Sequence, residues 1–532
     1  MISNIFRYIS TIQFLTFKQL FYQAYYPLRK KIRGVKRHTY PFYIPAQSTP
    51  TRLQDFIPAK PSIFFSYDQI DLSFLNKEKK FNLDNINWSF FDHGRLWNYN
   101  LVYFDFLNQQ NISSEQGVLL IQDFIRKLPD APTALEPYPI SLRGLNWIKF
   151  FSKNQIQNND INASLYAQYK ILLDNIEYHL LHNHILDNGF SLIAAGMYFS
   201  DKQFFEAGKK IIEKEIEKQI LSDGAHFERS PMYHQVLLEH LMDVINFLQN
   251  NRWQSDQKFL LLLREKAGTM LGWLTGITFQ NYEIPYVNDS AENIAHTTPE
   301  LRKYSESLGV YPRVSKLFES GYRYWKLDNA EFFFDVGELS VTYQAGHAHA
   351  DTFSFILHIG GKPFIIDTGT STYEKCERRY YERSTKAHNT VAYNDENSSD
   401  VWCVFRTAKR ASVKIVLEEE NAILATHDGY KKHAVIHERK FQKHAGKIVL
   451  TDEMKGNIKH QSYSYFYFHE NVKANLVNNI IISEFAEMTF IGAERIELLD
   501  CEIAHGFNRL VQSKACRCTF QKEMSTEIRF VN

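Results

Sequence analysis

Glu331-Phe-Phe-Phe-Asp-Val-Gly-Glu-Leu-Ser-Val-Thr-Tyr343 is where the character of the chain changes. Upstream of it, apolar residues recur at helical spacing. Within and after it they come in short runs broken by glycines and polar turns. The stretch reads as two strands around a turn at Gly337, so an α region gives way here to a β region.

Downstream, Phe353-Ser-Phe-Ile-Leu-His-Ile359 and Pro363-Phe-Ile-Ile366 flank Gly360-Gly361, a hairpin signal, and strand-like runs continue to Arg529. Upstream, from 95 to 320, Tyr169, Leu172, Leu173, Ile176 and Leu180 share one helical face, as do Phe204, Ala207, Ile211 and Ile216. Leu237, Leu241, Val244, Ile245 and Leu248 repeat the pattern, and Leu260, Leu263, Ala267, Met270 and Leu274 do so again. The economical architecture is multidomain, α then β: a helical bundle or toroid joined to an antiparallel β-sandwich. We divide it as a basic, irregular lead-in (1–84), a helical domain (85–325) and a β-sandwich domain (326–532).

Bulk composition narrows the function. At 532 residues the chain exceeds one ordinary core. Hydrophobic residues at 44% and charged residues at 23% are those of a globular protein, and a net charge of +1 provides no field to recruit nucleic acid. Aromatics reach 15%, with 30 Tyr and 7 Trp, a stock that suits clefts stacking against sugar rings as well as cores. The five cysteines (376, 403, 501, 516, 518) are scattered and read as free thiols.

The segment Met1 to Tyr26 mixes apolar and polar residues and leads into Arg29, Lys30, Lys31, Arg33, Lys36 and Arg37. That order of charge is wrong for a secretory signal, and no window of about 18 apolar residues exists to span a bilayer. The segment reads as a helix docked on its own domain, or as a basic amphipathic helix in peripheral contact with a membrane.

Four stretches carry chemistry. Gly346-His347-Ala348-His349-Ala350-Asp351, with Asp367 and His388 downstream, gathers imidazoles and carboxylates; in a strand, residues two apart would converge on one side. A metallo-β-lactamase would need His directly after Asp351, where this chain has Thr352, and an amidohydrolase would place its His-x-His near the chain start. Asp223-Gly224 to Glu228, Tyr233 and His234 comes after a helix, with Ser230-Pro231 starting the next one, so Tyr233 falls in a first turn as a proton-transfer candidate. Its pKa of about 10 must fall before it acts as a base. His182-Asn183-His184 and Asp187 lie at a helix end and offer neutral donors that suit a carboxylate. Pro137 starts a helix whose Arg143, Asn146 and Trp147 share a face, a set suited to an anionic sugar.

Together these stretches resemble the heparinase II/III family of polysaccharide lyases, over residues 85 to 500. The resemblance implies an incomplete (α/α) toroid joined to an antiparallel β-sandwich, and β-elimination on a uronic-acid-containing polysaccharide. It implies that Asn183 and His184 hold the uronate carboxylate, that Tyr233 is base or acid, and that His347 is its partner from the other domain. It further implies a structural zinc on His349, Asp367 and His388. Arg143, Asn146, Trp147, Asp187, Glu228, His234 and Arg383 are expected to line the cleft. Members acting on glycosaminoglycans often carry Glu where this chain has Asp187, which bears on the substrate. The N-terminal style resembles relatives that accompany bacterial surface-polysaccharide synthesis, so a cell-envelope or periplasmic location is expected, with the cytoplasm as alternative. Two other functions fit the residues: a zinc-dependent hydrolase, and a non-catalytic polysaccharide-binding or assembly protein.

Overall fold

The computed structural model describes residues 2–254, 256–340, 343 and 345–531. Two helices come first, α1 (Ile2–Ile12) and α2 (Phe17–Val35). The lead-in expected up to residue 84 is therefore not irregular throughout, and it also holds a small sheet. Its three antiparallel strands are β1 (Ile63–Phe65), β2 (Gln69–Phe74) and β3 (Lys77–Asn82). In β2 the alternation is strict: Ile70, Leu72 and Phe74 are buried between half-buried Gln69, Asp71 and Ser73. Phe74 meets Trp97 and Phe106 edge-on or tilted, so the sheet is sealed onto the helices by its apolar face.

The helical region runs α3 (Arg95–Tyr103), α4 (Ser114–Lys127), α5 (Pro137–Asn154), α6 (Asn159–Asp174), α7 (His182–Phe199), α8 (Lys202–Gln219), α9 (Pro231–Asn250), α10 (Gln257–Ile277) and α11 (Thr298–Ser307). Their starts obey local chemistry. Ser113 closes a capping box, Asn158, Asp201, Ser230 and Asp256 accept from first-turn amides, and Pro137 opens α5. α6 stops at Asp174, so Ile176 and Leu180, expected on its face, lie in the loop beyond. Nearly every residue of α7 is buried, and Gly196 lets α8 approach so closely that a Cβ there would sit 2.7 Å from the Phe205 amide nitrogen. Among the described residues no helix is long and apolar enough to cross a membrane.

The β region opens with an antiparallel sheet of β4 (Tyr322–Lys326), β5 (Ala330–Asp335), β6 (Phe355–Ile359) and β7 (Lys362–Ile365). β5 is the first half of the stretch that announced the change of character, and all six of its residues are buried. Phe333 packs into the core of the helices, with Tyr322 and Ile356, while Phe332 and Phe334 pack into the sandwich core. The expected second strand is absent from its described part: Gly337–Ser340 form none, and Val341 and Thr342 lie outside the described residues. The β6–β7 turn is made by Gly360 and Gly361, both at positive φ (60° and 71°), as a tight hairpin requires.

Behind this sheet lie two more. Eight strands run in the order Val413–Glu418, Ala422–His427, Val435–His444, Lys447–Gly456, Glu523–Phe530, Ala486–Ile491, Ile480–Ile482 and Asn475–Val477. Four more run Arg495–Ala504, Leu510–Phe520, Ser462–Tyr467 and Val391–Tyr393. All pair antiparallel and share one apolar core with β5 and β6. The five cysteines are free.

Candidate active site

Two helix starts and one irregular loop build the site. His182, Asn183 and His184 form the first turn of α7, not the end of a helix as expected. The turn is entered through Leu181 and His182 at positive φ (64° and 58°), and no side chain caps it. An uncapped helix start favours an anion by its dipole and its free amides. Asn183 is buried with its side-chain oxygen unpartnered. The His184 ring lies tilted against Tyr138, 4.2 Å between ring centroids, and places Nδ1 3.0 Å from Glu177. Burial alone would lower the pKa of His184, but the Glu177 carboxylate outweighs it and raises it.

Tyr233 is set by the second start. Ser230 Oγ accepts from the Tyr233 amide, and Pro231 opens α9. Across the boundary between helices and sandwich, the Tyr233 ring lies 4.1 Å from the His347 ring, and its hydroxyl is 3.2 Å from that of Tyr373. Burial raises the Tyr233 pKa, so the phenol is protonated at rest.

The loop carrying His347 and His349 is not the strand expected for 346–351, yet both imidazoles converge, on Asp289. His347 Nδ1 and His349 Nε2 each lie 2.9 Å from one of its oxygens, and Arg379 grips both oxygens at 2.5 and 2.8 Å. Burial opposes ionisation of Asp289, but Arg379 and the two imidazole hydrogen bonds hold its pKa well below the carboxylate range. The Asp289 carboxylate accepts from His347 Nδ1–H, and His347 Nε2, on the far side of the ring, lies 4.0 Å from Glu228.

Glu228 lies between the two halves. Its Oε1 is 2.7 Å from His182 Nδ1, and its Oε2 makes no hydrogen bond but lies 3.6 Å from His226 Nδ1. Burial would raise its pKa, but His182, His347 and His226 hold it below the usual range. His182 Nε2 and Asp187 Oδ2 are also unpartnered, so polar atoms without a protein partner gather around the start of α7.

Several residues expected to line the cleft do not. Arg143 is fully buried, bonded to Gln168 and to the carbonyls of Val102 and Ala134, and Trp147 packs on Phe104 and Phe124. Asn146 donates to the Tyr103 carbonyl. Their shared face is correct, but it points into the helical core. Arg383 is likewise buried and binds the carbonyls of Ala348 and Cys403, holding the histidine loop from behind. His234 accepts from the His226 amide and donates to the Met270 carbonyl, and burial lowers its pKa to about 3. Asp187 is only half engaged: its Oδ1 lies 2.7 Å from His240 Nδ1, and its Oδ2 stays with the open polar atoms at the start of α7. Asp223 receives the amides of Phe318 and Ser320, a structural duty.

The residues expected to hold zinc sit below this site. His388 Nδ1 is 2.7 Å from Asp367 Oδ2, and the His349 and His388 rings are 5.3 Å apart. His349 Nδ1 and His388 Nε2 are buried without a partner, a donor pair that suits zinc. The three ligand atoms are nevertheless not gathered into a closed cage. Among the described residues only His469, Glu470 and His505 bring three such atoms within 4.8 Å of one another.

Residues to which the sequence assigned no role hold the site: Asp289, Arg379, Tyr373, Tyr138 and Glu177, together with His182, which stood in a quoted stretch without one. Asp289 stands in Asn288-Asp289-Ser290, which looks like an ordinary polar turn.

Comparison with known proteins agrees with this geometry. The family profile described as "Heparinase II/III N-terminus" matches residues 142–318, and "Heparinase II/III-like, C-terminal" matches 311–530. A heparin-sulfate lyase of Bacteroides stercoris is 24% identical over 312 residues, 52% of this chain and 44% of that protein. A heparin-sulfate lyase of Pedobacter heparinus is 24% identical over 243 residues, 40% of this chain and 36% of that protein. The chain thus spans less than half the length of these two relatives. Among solved structures, heparinase III superposes with a TM-score of 0.69 at 18% identity, covering 84% of this chain and 80% of the other. Chondroitinase AC lyase does so at 0.51 and 8% identity, covering 82% and 75%. These likenesses establish the shared fold, a helical toroid joined to an antiparallel β-sandwich. By its two profile matches, and by the fold that goes with them, the chain belongs to the heparinase II/III-like family.

Proposed function

We propose that the chain is a polysaccharide lyase that cleaves a uronic-acid-containing polymer by β-elimination, with a bacterial surface polysaccharide as its substrate. The carrying observation is the Tyr233 phenol ring lying 4.1 Å from the His347 imidazole, tilted by 36°, across the domain boundary. Elimination needs one group to take the C5 proton and one to protonate the departing C4 oxygen. His347 Nε2, freed as an acceptor by Asp289, takes the first role. Tyr233, kept protonated by burial, takes the second. As the C5–H bond breaks, its electrons move toward the carboxylate, the C4–O bond opens, and an unsaturated sugar remains. The developing enolate-like charge needs donors already in place. Asn183 and His184, at the uncapped start of α7, supply them, and the raised pKa of His184 favours its cation there.

A structural zinc on His349, Asp367 and His388 belongs to the same proposal, supported by the two unpartnered ring nitrogens. All three side chains are buried, whereas a catalytic zinc keeps a position open to substrate, so the hydrolase alternative is not favoured. A metal assay after purification, with melting temperature before and after chelation, tests it. A chelator that stops turnover while leaving the melting temperature unchanged would restore the hydrolase. The envelope or periplasmic location belongs to the proposal too and is checked by fractionation.

The deciding experiment tracks ultraviolet absorbance of the unsaturated product over a panel of alginate, heparan sulfate, hyaluronan and the host's surface polysaccharide. Growth with one substrate that Tyr233→Phe abolishes establishes elimination and names the sugar. Reducing ends without absorbance mean hydrolysis. Binding without cleavage means a polysaccharide-binding scaffold.

A further inference from the structure

Helix α2 is amphipathic and docks the wrong way round for a globular protein. Its polar side faces the molecule: Gln19 donates to the Leu180 carbonyl, Tyr26 to that of Ile176, and Arg29 and Arg33 pair with Asp174. Lys18 lies over the Tyr178 ring. Its apolar side faces outward. Phe17, Phe21, Leu28, Ile32 and Val35 recur at helical spacing on one stripe, with Phe17 83% and Val35 81% exposed. At about 1.5 Å per residue the stripe extends roughly 28 Å.

Charge identifies what covers it. Residues 1–54 contain nine Lys and Arg and no Asp or Glu. Lys30, Lys31, Lys36 and Arg37 cluster at the C-terminal end of the stripe, are exposed, and make no ion pair among the described residues. A second copy meeting this face symmetrically would set these cations against their own equivalents, with no acid in the segment to answer them. We infer that α2 is a docking surface for an anionic lipid membrane, its Phe and Leu side chains entering the interface and its Lys and Arg meeting lipid phosphates.

The test uses the full chain with phosphatidylcholine vesicles that contain or lack phosphatidylglycerol, in a co-sedimentation assay across a salt series. Wild type should bind only the anionic vesicles, less so as salt rises. Replacing Lys30, Lys31, Lys36 and Arg37 together by Gln should weaken binding by roughly fivefold for each charge removed. The combination Phe17→Ser, Phe21→Ser and Leu28→Ser should abolish binding at every salt concentration. The polar contacts of α2 remain in both variants, so an unchanged melting temperature certifies their fold. The proposal is overturned by a wild type that ignores the vesicles, by equal binding to both kinds, or by a wild-type dimer that the Ser variant splits into monomers.

Discussion

Asp289 is fully buried, and His347, His349 and Arg379 all reach it. Asp289→Asn should cost about 3–5 kcal/mol of stability, because it leaves Arg379 buried beside a neutral amide. It should also lower kcat by roughly a hundredfold or more, since His347 is no longer held as the Nε2 acceptor. Urea titration and initial rates measure the two separately. The buried histidines predict a pH dependence. Burial lowers the pKa of His226 to about 4 and of His234 to about 3, from an ordinary 6.5. The unfolded chain therefore takes up protons first as pH falls below 6.5, and stability declines from there toward pH 4. His234→Gln should flatten that decline, as urea midpoints against pH will reveal. Tyr233, His347 and Asn183 were picked out in the sequence because their motifs resemble those of a family, and the fold brings Tyr233 and His347 together. Asp289 was not, because Asn288-Asp289-Ser290 is indistinguishable from a solvent-facing turn until the fold turns it inward.

Elements decide which way a residue faces, and that was the least legible property. The spacing of Arg143, Asn146 and Trp147 on α5 correctly predicts a common face, but spacing alone cannot say whether that face meets a cleft or a core. The start of α9 was legible because Ser230-Pro231 is a local signal, whereas the start of α7 has no capping residue to announce it. The histidine loop is an element of a different kind, held from behind by Arg383. Arg383→Ala removes its bonds to the carbonyls of Ala348 and Cys403 and opens a cavity, at an expected cost of about 2–4 kcal/mol. Its melting temperature should fall well below that of Tyr233→Phe, which loses only a hydroxyl. Equal melting temperatures for the two variants would show that the loop does not depend on Arg383.

At the scale of the whole molecule, the change from α to β texture was legible because the hydrophobic period itself changes. What three consecutive phenylalanines meant was not. β5 turns Phe333 into one core and Phe332 and Phe334 into the other, so the two regions share a wall. Calorimetry should therefore show one unfolding transition, and Phe333→Ala should lower it as a whole, at about 3–5 kcal/mol. Two separated transitions would mean that the regions melt independently. The outward stripe of α2 has a consequence of another sort. Nine basic residues and no acidic ones in 1–54 leave the remainder with 52 basic against 60 acidic, so a net charge of +1 conceals a strongly polarised particle. Near its isoelectric point such a particle still has a positive pole, and it should be retained on a cation-exchange resin at a pH where a uniformly charged protein of the same composition would flow through.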